Sequence, residues 1–308
     1  MIFNSLRVYL TEQCNAKCPS CFNRESRNSA SMDKVHFEQI CRTFSEKGVK
    51  RLKIMGGEPT MHPHFAEMIE MAQQFFPNIF LFTNAINDKI IEFNPRTEDS
   101  IIYNFTFLKL WDRERLLLNH LGRRSFEIQI RPNSNEKEIV AYLDKLSDFE
   151  FTAVLTLDCT SNIFKDRKIL ISKIEFLQNH FSKKGISFSM DHRLPLCFLY
   201  GSNIIVPTNN FSKCSLSCSC LIDAEYNLRF CNQSKCKTIN VFFDDKIIPI
   251  QILENHLRKE FYLRQINNLD NFCGNCVFYE SMCNGGCFLN NGTITKKDIL
   301  NATQFPTI

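Results

Sequence analysis

The sequence predicts an α/β fold with a parallel sheet over residues 1–192 and a small cysteine-rich domain over residues 193–308. Two observations predict this division. Segments with the period of strands alternate with segments of helical period up to residue 192, and nine cysteines lie between residues 214 and 287. Strands that alternate with helices build right-handed βαβ units around a parallel sheet. The pattern leaves an open doubly wound sheet and a full or partial barrel both possible.

The first unit of this pattern is a strand followed by an amphipathic helix. Leu6 to Leu10 has the composition of a strand, and apolar residues recur with helical spacing from Phe37 to Phe44. Cys41 belongs to this apolar stripe, so we expect it to be a small buried side chain rather than a ligand.

The alternation continues along the chain. Leu52 to Met55 predicts the second strand, and the apolar stripe from Phe65 to Phe76 predicts the second helix. Further strands are predicted at 79–83, 101–109, 125–131, 150–157 and 186–190, with helices near 87–93, 112–121, 135–147 and 167–183. In such folds ligands bind beyond the carboxyl ends of the strands.

The alternation of predicted strands and helices ends after residue 192. The segment from 193 onward contains short pieces rich in Cys and Ser, a predicted hairpin from Leu221 to Phe230 turning at Ala224 to Asn227, and a predicted helix at about 250–266. A tail rich in Gly, Cys and Asn follows, and the chain has no tandem repeat.

Composition excludes several classes of protein. At 44% hydrophobic residues the chain has enough apolar material for a core, so it is not disordered as a whole. The net charge of +4 is too small to indicate binding to nucleic acid or to an anionic membrane. No apolar run reaches the roughly 18 residues of a membrane span, and the N-terminus lacks the order of a signal peptide. We therefore expect a soluble, cytoplasmic protein.

The fifteen cysteines are the most unusual feature of the composition. A secreted protein with this content would form disulfides, but this chain is long, lacks a signal peptide and has an odd count. Metal binding is therefore the better interpretation.

The first metal-binding motif follows the first strand directly. Cys14, Cys18 and Cys21 have the spacing CxxxCxxC on one loop. Three soft thiolates suit zinc or an iron–sulfur cluster, but they are one fewer than a closed tetrahedral site needs. The open fourth position is what a metal uses to hold a reactant.

On these residues the chain resembles the radical S-adenosylmethionine (radical SAM) superfamily. The resemblance implies a partial (β/α)6 TIM-like barrel in which Cys14, Cys18 and Cys21 bind a [4Fe–4S] cluster whose fourth iron chelates SAM. It implies reductive cleavage of SAM to a 5′-deoxyadenosyl radical, with a flavodoxin- or ferredoxin-type protein as electron donor. The residue before the third cysteine is usually aromatic in the family and here is Ser20, so Phe22 is the expected aromatic contact for the adenine.

A second match follows the second strand. The segment Met55-Gly56-Gly57-Glu58-Pro59-Thr60 resembles the GGE motif of the superfamily, in which bare backbone and a carboxylate bind the ammonium group of SAM. Thr83 and Asn84 lie where the family often has a short polar motif that lines the SAM pocket. Weaker candidates for contacts to the ribose or the carboxylate of SAM are Asn104 and Arg131, with ordinary polar strand ends as the alternative.

The second cysteine array favours a zinc ribbon when it is considered alone. Beside the first motif it resembles the SPASM domain, a C-terminal extension of many radical SAM enzymes with up to two auxiliary [4Fe–4S] clusters. By that resemblance the first auxiliary cluster has as ligands Cys214, Cys231 and Cys287, plus Cys220 or Cys218, and the second has Cys273, Cys276 and Cys283.

The array departs from the SPASM pattern at three places. Tyr226 stands where the family has glycine, the spacer between Cys276 and Cys283 is six residues rather than five, and no cysteine follows Cys287. The fourth ligand of the second cluster is therefore open to Cys236, to a non-cysteine side chain or to substrate. A domain with one complete auxiliary cluster is the competing arrangement.

Other polar residues are predicted near the cavity. In this superfamily a thiol can donate a hydrogen atom to a substrate radical, and Cys159 and Cys197 are the candidates, with packing as the alternative. Candidate substrate contacts that are equally plausible as loop salt bridges are Asp158, Asp191, His192 and Arg193. His62 and His64 are interpreted as the entry to a helix rather than as metal ligands.

The resemblance implies a radical SAM enzyme that modifies a peptide by oxidation, cross-linking or epimerisation. The alternative is a dehydrogenase or epimerase of a small molecule such as a sugar or aminoglycoside. This alternative is kept because the chain begins almost directly on the first strand, so we expect no room for the N-terminal peptide-recognition domain common among peptide cross-linkers. A zinc-stabilised binding module without catalysis is the alternative from a different class.

Overall fold

The computed structural model describes residues 3–18, 21, 28–104, 123–146, 149–157, 163–190, 196–199, 201–204, 219–229 and 238–269. For 196, 197, 219 and 261–269 only the backbone is described. The chain divides into two compact units, Met1–Ser125 with Leu216–Phe261 and Phe126–Ser215 with Tyr262–Ile308.

The first unit is built on a sheet with strand order β10-β9-β8-β1-β2-β3-β4. Its strands are β1 Ser5–Thr11, β2 Arg51–Gly56, β3 Asn78–Thr83, β4 Ser100–Asn104, β8 Ser219–Ile222, β9 Asn227–Arg229 and β10 Ile239–Asn240. Strands β1 to β4 and the β1–β8 pair are parallel, whereas β8 to β10 are antiparallel. The parallel αβ pattern predicted from the sequence is confirmed.

Strand β1 lies inside this sheet, between β2 and β8. Its side chains Leu6, Val8 and Leu10 are 0% exposed, and Leu6 is in register with both Leu52 and Cys220. Successive side chains of a strand point to opposite faces. Both faces of β1 are nevertheless covered, as is usual for parallel sheets, because Tyr9 packs with Leu221 and Ala224 on the other side.

Two helices connect the first three strands. Helix α1 (Lys34–Glu46) begins where the Asp33 carboxylate accepts a hydrogen bond from the His36 N–H, and it buries the predicted stripe of Phe37, Ile40, Cys41 and Phe44. The interpretation of Cys41 as a buried apolar side chain is confirmed, since it is 0% exposed. Helix α2 (Phe65–Phe75) follows a 3-10 helix at Pro59–Met61.

The predicted hairpin after residue 220 is present, formed by β8 and β9. Its turn contains Tyr226, whose φ of 64° lies in the left-handed region that favours glycine. A second hairpin, β11 (Phe242–Phe243) with β12 (Lys246–Ile247), turns through Asp244 and Asp245, both with positive φ. The helix that follows spans Ile250–Leu269 and is labelled α6.

The second unit contains strands β5 to β7 and the helices between them. Strand β5 (Arg123–Ile130) begins at the boundary of the first unit, and β6 (Thr152–Leu157) pairs in parallel with β7 (Ser187–Met190). The helices are α3 (Glu136–Lys145), α4 (Arg167–Lys184) and the short α5 (Leu196–Leu199). Helix α4 ends at Gly185, whose φ of 68° is the usual left-handed helix end.

The predicted segments differ from the observed ones in few places. The helix predicted near 87–93 is a 3-10 helix at Asp88–Glu92, started by the Asn87 side chain, because such a short segment lacks the length for a stable α-helix. The helix predicted at 112–121 lies outside the described residues, and β4 is described as far as Asn104. The predicted boundary at residue 192 stays a prediction.

Among the helices that the structure describes, none is both long and apolar enough to cross a membrane.

Candidate active site

The loop that follows β1 carries three half-buried cysteines, Cys14, Cys18 and Cys21. The Ala16 N–H donates a hydrogen bond to Cys14 Sγ at 3.4 Å, and the Cys21 N–H donates to the Cys18 carbonyl at 3.2 Å. The loop therefore gives the Cys14 sulfur a backbone N–H donor, and hydrogen bonds of this kind orient and tune a metal ligand.

The C-terminal end of this loop, at Ala30 and Met32, is hydrogen-bonded to the end of β1. The Thr11 hydroxyl donates to the Ala30 carbonyl at 3.0 Å, and the Glu12 N–H donates to the same carbonyl at 2.9 Å. The Met32 N–H then donates to the Leu10 carbonyl at 2.8 Å. Both ends of the cysteine loop are thus fixed at the carboxyl end of β1.

Gly56, the last residue of β2, and Gly57, which follows it, pack against the backbone of the cysteine loop. The Gly57 N–H donates to the Thr11 carbonyl at 2.8 Å, and the Glu58 N–H donates to the Gln13 carbonyl at 2.7 Å. A Cβ at Gly56 would lie 2.5 Å from the Thr11 oxygen, and one at Gly57 would lie 2.0 Å from the Gln13 oxygen. The sequence predicted that these glycines allow a ligand to approach closely. In the structure, the backbone of the cysteine loop is what approaches them.

Glu58 is buried between the ends of β2 and β3, with 1% of its surface exposed. Its Oε1 accepts hydrogen bonds from the Thr60 N–H at 3.2 Å, the Thr60 hydroxyl at 2.7 Å and the Thr83 hydroxyl at 2.8 Å. Its Oε2 accepts from the Asn84 N–H at 2.7 Å. Desolvation raises the pKa of this carboxyl above its ordinary value, although these bonds act in the opposite direction.

The Asn84 side chain bridges from β3 to the cysteine loop. Its Nδ2 donates to Asn15 Oδ1 at 2.8 Å and lies 3.8 Å from Cys14 Sγ. Thr83 and Asn84 are 4% and 7% exposed. The structure therefore brings the first cysteine, the two-glycine motif and the Thr83–Asn84 pair together at the carboxyl ends of three adjacent strands.

Two other predicted contacts to SAM are described, and they belong to different units. Asn104 ends β4 in the first unit and is half-buried. Arg131 follows β5 in the second unit, where its guanidinium donates to the Gln129 side chain and its backbone N–H donates to the Ser134 hydroxyl.

The two histidines after β2 are part of the entry to α2. His62 is 2% exposed, and its Nε2 is 2.9 Å from the Met32 carbonyl; burial lowers its pKa below the ordinary value. His64 precedes the first residue of α2, and its ring lies 3.1 Å from the Glu67 carboxylate.

Most of the remaining predicted site residues lie outside the described part of the chain. Among them are Phe22, Cys159, Asp158, Asp191, His192 and Arg193, together with Cys214, Cys218, Cys231, Cys236, Cys273, Cys276, Cys283 and Cys287. Cys197 lies in α5, where only the backbone is described.

Cys220 is the member of the C-terminal array whose side chain is described. It is 0% exposed in β8, and burial raises the pKa of its thiol to about 12. Its position is that of a packed core residue.

No three His, Cys, Asp or Glu side chains of the described residues are grouped closely enough to hold a metal ion. The fit of an iron–sulfur cluster to Cys14, Cys18 and Cys21 therefore rests on the chemistry of the donors. They are three soft, half-buried thiols on one loop, and three thiolates are the donor set that such a cluster takes when its fourth iron is left open.

Sequence reasoning missed the residues that join the loops. Thr11 and Gln13 act through their carbonyl groups, which no side-chain motif reveals. Asn15 has a side-chain role, and its position beside Cys14 is the signal that could have indicated it.

Comparisons with known proteins show which proteins this part of the chain is similar to. Residues 8–101 match the family described as the Radical SAM superfamily. The probable GTP 3′,8-cyclase of Methanothermobacter marburgensis is 31% identical over 110 residues, which are 34% of this chain and 36% of that protein. The probable GTP 3′,8-cyclase of Methanococcus maripaludis is 27% identical over 166 residues, 51% of each chain. The chain thus matches about a third to a half of the length of these curated relatives.

Solved structures share the fold over nearly the whole chain. Streptococcus suis SuiB bound to precursor peptide SuiA has a TM-score of 0.70 at 16% identity, covering 94% of this chain and 72% of that one. Native anSMEcpe with bound AdoMet and Cp18Cys peptide has a TM-score of 0.64 at 15% identity, covering 97% and 96%. The predicted α/β partial-barrel class is confirmed by this likeness.

The matched segment contains the cysteine loop, the two-glycine motif and the Thr83–Asn84 strand end, which are the features that the geometry brings together. Residues 8–101, about a third of the chain, are thus similar to the Radical SAM superfamily in the part that contains these features.

Proposed function

We propose that this protein is an enzyme that cleaves SAM reductively at a [4Fe–4S] cluster bound by Cys14, Cys18 and Cys21 and modifies a peptide. The observation that carries the proposal is the hydrogen-bonded assembly of three strand ends, in which the two-glycine loop is fixed to the cysteine loop. When bound, the cluster supplies one electron that breaks a carbon–sulfur bond of SAM, and the resulting 5′-deoxyadenosyl radical takes a hydrogen atom from the substrate.

The chain's own residues position the reactants. Gly56 and Gly57 allow the β2 loop to lie against the cysteine loop, so the backbone beyond β2 is held beside Cys14. Glu58 uses both carboxylate oxygens within the protein, so its part is to join the ends of β2 and β3. Such positioning is the share of catalysis that a protein contributes when a cofactor carries the chemistry.

The likeness in fold to SuiB and anSMEcpe supports a peptide as the substrate, because both were determined with a bound peptide. The C-terminal cysteines support a SPASM-like module with one or two auxiliary clusters. Cys159 and Cys197 remain proposed hydrogen-atom donors, and a flavodoxin- or ferredoxin-type protein remains the proposed electron donor.

The second candidate is a reaction on a small molecule. Curated relatives that match part of the chain are named as GTP 3′,8-cyclases, including the probable GTP 3′,8-cyclase of Pyrococcus abyssi at 34% identity over 83 residues. That match covers 26% of this chain and 27% of that protein, so it supports shared cofactor chemistry more than a shared substrate.

The test is a metal count with an assay of SAM cleavage on protein purified without oxygen. We expect a brown protein with about 8 iron atoms per chain for two [4Fe–4S] clusters or about 12 for three. Changing Cys14, Cys18 and Cys21 together to Ala should remove about 4 iron atoms and abolish release of 5′-deoxyadenosine. Cys41→Ala is the matched control, because this buried thiol lies in α1 and should leave both quantities unchanged.

The outcomes separate the candidates. A colourless, zinc-loaded protein would establish a binding module and refute the enzyme. Release of 5′-deoxyadenosine that survives the triple change would refute the assignment of the cluster ligands. Faster release with a peptide encoded beside this gene than with GTP, a sugar or an aminoglycoside supports peptide modification, and the reverse supports the small-molecule reaction.

A further inference from the structure

The side-chain amide of Asn84 has a fixed orientation. Its Oδ1 accepts a hydrogen bond from the Ile86 N–H at 2.9 Å, so the oxygen faces its own backbone. Its Nδ2 must then face the cysteine loop, where Asn15 Oδ1 accepts a hydrogen bond at 2.8 Å. Amide orientations are assigned from the hydrogen-bond network, and here two partners agree that the N–H groups point toward Cys14.

The backbone that carries this amide is also held in place. The Asn84 N–H donates to Glu58 Oε2 at 2.7 Å, and the next N–H, that of Ala85, donates to the Thr83 hydroxyl at 2.9 Å. Ala85 has a φ of 54°, which is uncommon for a residue with a Cβ. Such a conformation persists where the surroundings determine it, and these surroundings are often functional.

Cys14 Sγ therefore has N–H donors from two directions. The Ala16 N–H lies 3.4 Å away within the loop, and Asn84 Nδ2 lies 3.8 Å away from the end of β3. The second donor comes from a different strand, 70 residues along the chain, and it depends on the buried carboxylate of Glu58.

We infer that Asn84 is a positioning residue that acts on the cluster through Cys14, donating a hydrogen bond to its sulfur and so raising the reduction potential of the cluster. This inference rests on the proposed function of the site. Reduction adds negative charge to an iron–sulfur cluster, and N–H donors at its sulfurs stabilise that charge. The resemblance assigns Asn84 to the wall of the SAM pocket, whereas the geometry directs its amide to a cluster ligand.

The experiment is a redox titration followed by electron paramagnetic resonance on the reconstituted full-length protein. The signal to follow is the one whose g-values change when SAM is added, because this identifies the N-terminal cluster among any others. In Asn84→Leu the amide donor is lost, so the midpoint potential of this signal should become more negative while the iron content stays that of the wild type.

A second variant covers the case in which Asn84→Leu does not fold. Asn84→Asp has the same shape and keeps an oxygen for the Ile86 N–H, but it replaces the donor with a negative oxygen. Its midpoint potential should also be more negative than that of the wild type.

Asn87→Leu is the matched control. Asn87 also follows β3 and carries the same side-chain amide, but its amide donates to the Thr60 carbonyl and to the thioether of Met61 rather than to a cysteine. Its midpoint potential should equal that of the wild type. The inference is overturned if Asn84→Leu or Asn84→Asp has the wild-type potential, or if Asn87→Leu shifts it equally. Failure of the proposed function is recognised separately, because the wild type itself would then show no SAM-sensitive signal.

Discussion

Gly57 shows how little space separates the loops of the site. The position that a Cβ would take lies 2.0 Å from the Gln13 carbonyl oxygen and 2.6 Å from that of Glu12. Both atoms are backbone, so they cannot move aside as a flexible side chain would. Any other residue at this position must displace the cysteine loop from the end of β2.

We therefore predict that Gly57→Ala lowers the rate of 5′-deoxyadenosine release by about 100-fold, since a shift of about 1 Å in a reacting group has effects of that size. Gly185→Ala is the control, because its φ is 68° but no atom lies within 4 Å of the added Cβ. Its cost should be confined to stability, roughly 1 kcal/mol. An unchanged rate in Gly57→Ala would show that the two loops need not stay in contact.

At the scale of residues, the sequence identified Gly56, Gly57 and Glu58 as part of the site but predicted only part of what they contact. The motif Gly56-Gly57-Glu58 was found because its letters match a pattern, and the pattern assigned all three residues to a ligand. The contacts to Thr11 and Gln13 could not be predicted, because carbonyl acceptors leave no trace in side-chain identity.

At the scale of elements, the hairpin of β8 and β9 is fastened to the start of α1. The Tyr226 hydroxyl donates to Asp33 Oδ2 at 2.5 Å, and the ring centroid of Tyr226 lies 4.9 Å from that of His36. These contacts explain how a tyrosine persists at a φ of 64°, where the SPASM pattern has glycine. The contacts of the Tyr226 side chain offset the free-energy cost of its backbone conformation.

Asp33 makes this junction sensitive to pH. Partial burial would raise its pKa, but hydrogen bonds from Tyr226 and His36 outweigh that effect and lower the pKa from 3.8 to about 2. A carboxyl with a lowered pKa stabilises the fold above its unfolded value and loses that contribution as the pH falls through the folded value. The stabilisation by Asp33 is therefore present above about pH 4 and disappears toward pH 2.

The test compares melting temperatures of the wild type and Asp33→Asn between pH 6 and pH 2.5. Asn also caps helices well but does not ionise. The melting temperature of the wild type should therefore exceed that of Asp33→Asn by a constant amount above about pH 5, and this difference should shrink below about pH 4. Asp33→Ala also removes the helix cap, so its free energy of unfolding should be roughly 1 kcal/mol lower than that of Asp33→Asn at every pH. A difference between Asp33→Asn and wild type that does not vary with pH would contradict this account.

Local sequence patterns predicted the helices and strands better than they predicted which strands pair with each other. The hairpin near Ala224 and the helix from Ile250 follow from short stretches of sequence. The parallel pairing of β8 with β1 does not, because it joins residues more than 200 positions apart, and nothing in the periodicity of either strand specifies its neighbour.

For the whole molecule, the position of Cys220 bears on which cysteines are ligands in the proposed auxiliary module. The sequence left Cys218 and Cys220 as alternatives for one ligand. Because Cys220 is packed in β8 in register with Leu6, we propose Cys218 rather than Cys220 as that ligand. Cys220→Ala should thus keep the iron content of the wild type, whereas Cys218→Ala should lower it by about 4 atoms per chain.

The control is Cys41→Ala, which removes a thiol equally buried at 0% exposure. Both Cys41→Ala and Cys220→Ala should lower stability by roughly 1 kcal/mol, as core truncations do, without loss of iron. Iron lost from Cys220→Ala but not from Cys218→Ala would reverse the assignment.

The pairing of Ser5 to Val8 with Ser219 to Ile222 also bears on how this protein could have evolved. Without β8, strand β1 would be the edge of its sheet and would present a row of unpaired N–H and C=O groups, which invites aggregation. The N-terminal segment that contains β1 and the C-terminal segment that contains β8 are therefore not freely exchangeable. A recombination event that joined a new tail to this chain would have had to bring a strand able to shield β1.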